Sequence, residues 1–120
     1  MAEETDMWIE LVRKLKELTE NGKLRWHSVK PTQVMPSVSN RRVSTVFETE
    51  YNDRILRLYS TQASAYASEY TVLELVDENE AVWEFPNIAG LDDLLETVKF
   101  QAAGVKEFIK AVLAEETSRP

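Results

Sequence analysis

The hydrophobic residues near the start of the chain follow a helical period. Trp8, Leu11, Val12, Leu15 and Leu18 recur at a spacing that places them on one side of a helix. We predict a helix from about residue 5 or 6 to residue 21. Gly22 marks its end, because glycine readily takes the left-handed conformation that terminates helices.

Short segments in the middle of the chain have the pattern of strands. Residues 43–51 alternate between an apolar set around Phe47 and a polar set around Glu48. Asn52 and Asp53 then predict a tight hairpin turn. Pro86 ends the last strand, since proline has no N–H to donate to a neighbouring strand. The predicted strands cover residues 24–29, 43–51, 55–61, 70–76 and 81–85.

A second helical stripe runs along the last part of the chain. It consists of Leu91, Leu94, Leu95, Val98, Ala102, Val105, Ile109 and Val112, which stay in phase throughout. This continuity predicts one long helix over residues 91–115. Gly104 lies inside this range, but a glycine within a helix costs only about 1 kcal/mol relative to alanine.

The order of these elements predicts an α+β fold in a single domain over residues 1–120. Consecutive strands joined by short turns pair antiparallel, so we expect a meander sheet of about five strands. Because each helix has one apolar stripe, both helices can cover the same sheet face, as in a two-layer sandwich. Some apolar surface then remains on the other face, where either a partner covers it or the sheet curls.

The composition excludes several classes of site. The chain has no cysteine, which rules out disulfides, thiolate metal sites and a cysteine nucleophile. His27 is the only histidine, so one chain cannot build a metal centre from several histidines. The three isolated glycines cannot form a phosphate-binding loop or a dinucleotide fingerprint. We therefore expect no cofactor and no metal ion, and we assign no catalytic residue.

Charge and hydropathy also limit the partners that we expect. No apolar run has the length of a membrane span, and the first residues are acidic where a signal peptide would be basic. We expect a soluble cytoplasmic protein that does not contact a membrane. The net charge of -7 argues against nucleic acid as a partner, because phosphate repels most of the surface.

One basic window interrupts the acidic chain. No Asp or Glu occurs between Asn21 and Phe47. Like charges gathered on one surface create a field that selects partners, and a long loop over residues 30–40 in the same window is typical of a functional segment. The candidate binding residues of the window are Arg25, Trp26, His27, Lys30, Arg41 and Arg42.

The candidates in the window also have purely structural interpretations. Trp26 and His27 can recognise an anion beside the neighbouring cations, or Trp26 can lie in the core while His27 faces solvent. Arg41 and Arg42 can clamp a carboxylate or phosphate, or one can be solvated while the other pairs with an acid on a neighbouring strand. We favour the structural interpretation in both cases.

Acidic residues in the strands are candidates for acid–base chemistry. They form two possible pairs, Glu48 with Glu50 and Glu74 with Glu84. Their alternation with apolar residues is also typical of the solvated face of a half-buried sheet, and we favour that interpretation.

The predicted long helix carries a second line of residues opposite its core stripe. Phe100, Gly104 and Ala111 lie along this line, and an aromatic side chain beside small residues suits close helix packing. Either the first helix or a second chain can pack there, or Phe100 is simply an exposed aromatic residue. We expect a homodimer, with these residues as its candidate interface.

Together these patterns predict a small non-catalytic binding protein of the cytoplasm, such as a regulator, an inhibitor or an immunity-type protein. It would act through a protein–protein interface. The alternative is a binder of, or modest enzyme for, a small anionic ligand that uses the basic window over residues 23–47.

Overall fold

The computed structural model describes residues 2–30, 42–43, 45–62, 68–77 and 82–118. Within these ranges the chain forms one helix, six strands and two further helices. This order confirms the predicted α+β fold with an N-terminal helix and an antiparallel sheet. The elements are α1 (Ala2–Glu20), β1 (His27–Val29), β2 (Arg42–Val43), β3 (Val46–Tyr51), β4 (Arg54–Gln62), β5 (Tyr70–Val76), β6 (Val82–Glu84), α2 (Leu91–Ala102) and α3 (Val105–Ser118).

The strand pairs of the described sheet are all antiparallel. The strands follow the order β1-β3-β4-β5-β6, and β2 pairs with the far end of β4. Asn52 and Asp53 join β3 to β4 with φ angles of 51° and 63°. Two consecutive positive φ angles are typical of a type I′ turn. The predicted hairpin turn is therefore confirmed, with Tyr51 opposite Arg54 across it.

The segment that we predicted as one strand over residues 43–51 is divided in two. Val43 lies opposite Thr61, and Phe47 lies opposite Leu58. Four steps along the chain from Val43 to Phe47 thus match three steps along β4. The register with β4 therefore shifts by one residue between these two pairs.

Helices α1 and α2 share one hydrophobic core with alternate positions of the sheet. The buried residues of this core come from α1 (Val12, Leu15), from the strands (Phe47, Leu56, Leu58, Leu73), from α2 (Leu91, Leu94, Leu95, Val98) and from the connecting segments (Leu24, Trp26, Phe85). Leu58, Leu73, Leu94 and Val98 are completely buried. The first half of the predicted C-terminal stripe therefore faces the core, as we expected. The two-layer sandwich stays a prediction.

The single long C-terminal helix that we predicted over residues 91–115 is not found. Helix α2 ends at Ala102, and α3 begins at Val105. Gly104 between them has a φ of 66°, in the left-handed region. Our prediction weighed the cost of glycine inside a helix but not its preference for the position just after a helix end. The N–H of Gly104 closes α2 by donating to the carbonyl of Gln101.

Gln101 connects three parts of the chain through its side chain. Its Oε1 accepts a hydrogen bond from the N–H of Trp26 at 2.8 Å. Its Nε2 donates to the carbonyl of Thr19 at 2.9 Å and to the carbonyl of Leu24 at 2.6 Å. The Thr19 carbonyl also accepts from the N–H of Gly22 at 3.2 Å, so Gln101 adds a second donor at the end of α1. The connection from α1 to β1 is thereby attached to α2.

We expect the core side of α2 to carry stability that α3 does not. Leu95→Ala should lower the free energy of unfolding by about 2–4 kcal/mol, because Leu95 is 4% exposed and its truncation leaves a cavity. Val98→Ala should cost about 1–2 kcal/mol for the same reason. Leu113→Ala is the matched control, since Leu113 is 55% exposed and should lose less than about 0.5 kcal/mol. Urea melts of dilute protein measure all three, and equal losses for Leu95 and Leu113 would contradict this assignment.

The Gln101 contacts should also carry stability. Gln101→Leu keeps a similar volume but removes the side-chain partners of the Trp26 N–H and the Leu24 carbonyl and one of the two donors to the Thr19 carbonyl, so we expect a loss of about 2 kcal/mol. Lys99→Leu on the exposed side of α2 is the control and should change stability by less than about 0.5 kcal/mol. A Gln101→Leu variant as stable as the Lys99→Leu variant in urea would show that water replaces the side chain.

Candidate functional site

Apolar side chains on one side of α3 are exposed to solvent. We call Val105, Phe108, Ile109, Val112 and Leu113 the α3 stripe. Their spacing of three and four residues places them along one side of the helix. Phe108 is 68% exposed, Ile109 45%, Val112 49% and Leu113 55%. Val105, at the start of the helix, is half-buried.

The α3 stripe contains residues that we predicted to lie in the core. Ile109 and Val112 continue the stripe of α2 in sequence, but the turn at Gly104 separates them from the core. Every side chain from Lys106 to Glu115 is exposed. The period of the pattern was therefore correct over the whole segment, whereas its burial was predicted correctly only as far as Val98.

Helix α3 extends away from the rest of the fold. Within the described ranges, α2 is the element that α3 contacts most, and no side chain from Lys106 to Glu115 is buried. Helix α3 has 14 residues, and an isolated helix of this length is only marginally stable in water. Most helices in proteins gain their stability by packing an apolar side against another surface. The α3 stripe has the composition for such packing.

The charges on α3 are divided between its two halves. Residues 105–111 contain two lysines and one glutamate, and residues 112–118 contain two glutamates. The first half is therefore slightly basic and the second half acidic, and the helix has a formal net charge of -1 in a chain with -7. Because -1 over 14 residues is close to -7 over 120, the distinctive feature of α3 is how its charge is divided along the helix.

A groove lies beside the joint between α2 and α3. Its volume is about 660 Å³, and its walls come from the end of α1, from α2 and from the start of α3. Phe100 is 49% exposed and lines it. Arg25 and Lys106 bring positive charge to the groove, and three carboxylates bring negative charge, those of Glu20, Glu96 and Glu107. The groove thus brings together two residues that we predicted for separate sites, Arg25 and Phe100.

The other predicted binding residues that the structure describes do not line this groove. Trp26 is 5% exposed in the core, and its indole N–H donates to Thr19 Oγ1 at 3.0 Å. His27 is exposed and lies opposite Glu48 in the sheet, and Lys30 is exposed after the end of β1. Arg42 belongs to β2, where its backbone lies opposite Gln62. Arg41 lies outside the residues that the structure describes.

The predicted interface residues lie apart from the α3 stripe. Phe100 is on α2, and Gly104 is the half-buried residue of the turn. Ala111 is exposed on α3, but at about 100° per residue it lies on a different side of the helix from Ile109 and Val112. The line of Phe100, Gly104 and Ala111 requires one continuous helix, and the turn at Gly104 interrupts it.

A row of charged residues crosses the sheet on the face opposite the shared core. The strand register places His27 beside Glu48, Glu48 beside Arg57, Arg57 beside Glu74 and Glu74 beside Glu84. Arg57 lies between the core residues Leu56 and Leu58 of β4, and successive side chains of a strand point to opposite faces. We call this line of five residues the charged row.

The centre of the charged row is buried and hydrogen-bonded. Arg57 Nε donates to Glu48 Oε2 at 2.9 Å, and Arg57 Nη1 lies 3.4 Å from Glu74 Oε1. The Tyr59 hydroxyl donates to Glu74 Oε2 at 3.1 Å. The three charged side chains are only 9–12% exposed. One guanidinium is therefore shared between two carboxylates at the middle of the sheet.

The alternating pattern did not indicate this burial. We assigned Glu48 and Glu74 to a solvated sheet face, but each is 9% exposed. The feature of the sequence that could have indicated this burial was Arg57, a cation in the middle of an otherwise apolar strand segment. Because both carboxylates contact Arg57, their geometry is that of a structural ion network rather than of a free acid–base pair.

The described residues contain neither a candidate metal-binding cluster nor a helix that could cross a membrane. Among them, no group of three or more His, Asp or Glu side chains could hold a metal ion. None of the helices in the described ranges has both the length and the hydropathy that crossing a membrane requires.

Comparison with known proteins identified no relative of this chain. No protein-family model matches the chain, and no curated protein or solved structure matches it either. The proposed function therefore depends on the geometry of the described residues.

The ion network should make Arg57 important for stability. Arg57→Met should cost about 3–5 kcal/mol, because it leaves two buried carboxylates without their cation. Adding Glu48→Gln and Glu74→Gln to that variant should recover much of the loss. The exposed Arg54 of the same strand provides the control, since Arg54→Met should stay within about 0.5 kcal/mol of the wild type. Chemical unfolding at neutral pH measures the series. A loss below about 1 kcal/mol for Arg57→Met would mean that solvent compensates the carboxylates.

Proposed function

We propose that the protein is a non-catalytic binding protein of the cytoplasm that acts through a protein–protein interface. A regulator, an inhibitor or an immunity-type protein would fit this description. The interface that we propose is the α3 stripe. The observation that carries the proposal is that four large apolar residues on one side of a single helix are each 45–68% exposed.

The size of the α3 stripe supports an interaction role. Residues of this size at these exposures leave on the order of 400 Å² of apolar surface in water, which is in the range of the largest patches on monomeric proteins. Such patches are often functional, whereas singly scattered apolar residues need no explanation. The stripe is continuous along the helix, and this continuity distinguishes it from scattered exposed residues.

The second candidate, a site for a small anionic ligand, has weaker support. Arg25 and Lys106 line the groove beside α3, and two cations are a reasonable start for an anion site. The same groove is lined by three carboxylates, which repel an anion. The aromatic residue that we predicted for that site, Trp26, is in the core. A protein interface therefore accounts for more of the exposed surface.

A photoreactive side chain can test the proposed interface while the partner is still unidentified. We expect benzoylphenylalanine at position 108 to form a cross-link to a protein in cells that produce the chain, because Phe108 is the most exposed residue of the stripe. The same group at position 114 is the control, since Ala114 is exposed on the opposite side of α3.

A protein adduct from position 108 that is absent from position 114 would support the proposed function, whichever protein it contains. Absence of any protein adduct from position 108 would overturn it, and equal adducts from both positions would show that the stripe does not determine the contact. Mass spectrometry of the adduct identifies the partner.

A further inference from the structure

We propose that the partner of the α3 stripe is the α3 stripe of a second copy of this chain, with the two helices antiparallel about a two-fold axis. This inference rests on the proposed function and identifies its partner. The shape, the charge and the area of the stripe support this pairing.

The shape of the stripe suits pairing with itself. Val105, Ile109 and Val112 follow the spacing of four and three residues that forms the seam of paired helices. In an antiparallel pair, Ile109 of one copy lies level with Val112 of the other, and the reverse contact follows from the two-fold axis. Phe108 and Leu113 flank this seam on its two sides. A helix of 14 residues is about 21 Å long, so each copy can cover the stripe of the other along its length.

The charge distribution selects the antiparallel orientation. The first half of α3 is slightly basic, and its second half carries two glutamates. An antiparallel pair in this register places Lys106 of one copy level with Glu115 of the other, at a distance where charges still interact. A parallel pair would place the acidic C-terminal halves of the two α3 helices side by side. It would also bring the remaining parts of the two chains, which are negatively charged, to the same end of the pair.

The area of the stripe matches the requirement of a stable interface. A standard interface buries about 800 Å² on each partner, and about 56–58% of that area is apolar. The α3 stripe, with on the order of 400 Å² of exposed apolar surface, supplies nearly that apolar share from one helix. Polar side chains beside the stripe, such as Lys106 and Lys110, would complete the contact.

A different place for a second copy of α3 is the apolar groove between α1 and the β3–β4 hairpin. This groove has a volume of about 480 Å³, and its rim carries Lys14 and Arg54. If α3 of each copy bound in this groove of the other copy, a dimer would also form. It would not bring the two stripes together, so cross-linking within the stripes distinguishes it from the proposed pair.

The mass of the purified protein provides the first test. Sedimentation equilibrium at tens of micromolar should give twice the chain mass of 13.8 kDa. Ile109→Glu places a charge at the centre of the seam and should raise the dissociation constant by at least about 30-fold, as expected for a central interface residue. Ala114→Glu puts the same charge on the outer side of α3 and should leave the dimer intact. Far-UV circular dichroism checks that both variants retain the fold.

The second test determines the relative orientation of the two helices. Because the chain has no native cysteine, only the introduced cysteines can form a disulfide. A mixture of Ile109→Cys and Val112→Cys chains should form a mixed disulfide under mild oxidation. Val105→Cys alone should form none, because an antiparallel pair separates the two copies of this residue by about 16 Å along the helix axes, beyond the reach of a disulfide.

Each other outcome overturns the inference in a recognisable way. A monomer at tens of micromolar excludes the second copy, and a cross-link from position 108 to a different protein would then leave the proposed function standing. A dimer that Ile109→Glu does not weaken places the contact elsewhere. A disulfide dimer of Val105→Cys would show a parallel pair, and a dimer that forms no mixed disulfide would indicate exchange of α3 into the other groove.

Discussion

The side chain of Gln101 is the contact on which the arrangement of the helices depends. It binds the backbone of Thr19, Leu24 and Trp26, which belong to the end of α1 and to the connection that enters the sheet. The Thr19 carbonyl has a second partner in the N–H of Gly22, but the Trp26 N–H and the Leu24 carbonyl would otherwise need other partners, and an unpaired buried backbone group costs about 1–3 kcal/mol. One amide therefore holds the last turn of α2 against both α1 and the start of β1. The position from which α3 leaves the fold is determined by this contact.

The turn at Gly104 follows Gln101 by three residues and determines the direction of α3. A Cβ added at Gly104 would meet only Glu107 Oε2, at 3.8 Å, so there is space for a side chain. The requirement for glycine comes instead from its φ of 66°, which other L-residues adopt only with strain. A fixed end of α2 and a left-handed residue just after it together direct α3 away from the core. The exposure of the α3 stripe is thus a consequence of backbone geometry.

Much of the fold could be predicted from local patterns in the sequence. The period of three and four residues located all the helical segments, and Asn52 with Asp53 located the hairpin because their side chains tolerate positive φ. What these patterns lack is information on which surface a side chain meets. Val98 and Val112 belong to the same stripe in sequence, yet the first is completely buried and the second is 49% exposed. The left-handed conformation of Gly104 ends α2 between these two residues, and the buried part of the stripe ends there too.

The candidate sites were harder to predict for a related reason. Alternation along β3 and β5 correctly placed Glu48 and Glu74 on the face away from the helices, but it cannot reveal that β4 brings Arg57 between them. That contact depends on the register of three strands. Arg25 and Phe100 are 75 positions apart in sequence and meet only because α2 returns to the end of α1. Segregation of charge in the sequence predicted a basic surface, and that prediction stays untested, but of its described residues Arg25 lines the groove and Arg42 belongs to the sheet.

Folding and binding are coupled in α3 if the stripe is an interface. The helix is too short to be firmly stable alone, so a contact that buries the stripe also stabilises the helical conformation. Part of the interaction free energy then goes into ordering the helix, which lowers the affinity for a given buried area. The apparent stability of α3 would also rise with the concentration of its partner, since a ligand that binds only the ordered state shifts the equilibrium by mass action. The core of α1, α2 and the sheet does not share this dependence, because its buried residues come from one chain. With such an interface, the turn at Gly104 would separate a body whose stability is intrinsic from a helix whose order responds to its partner.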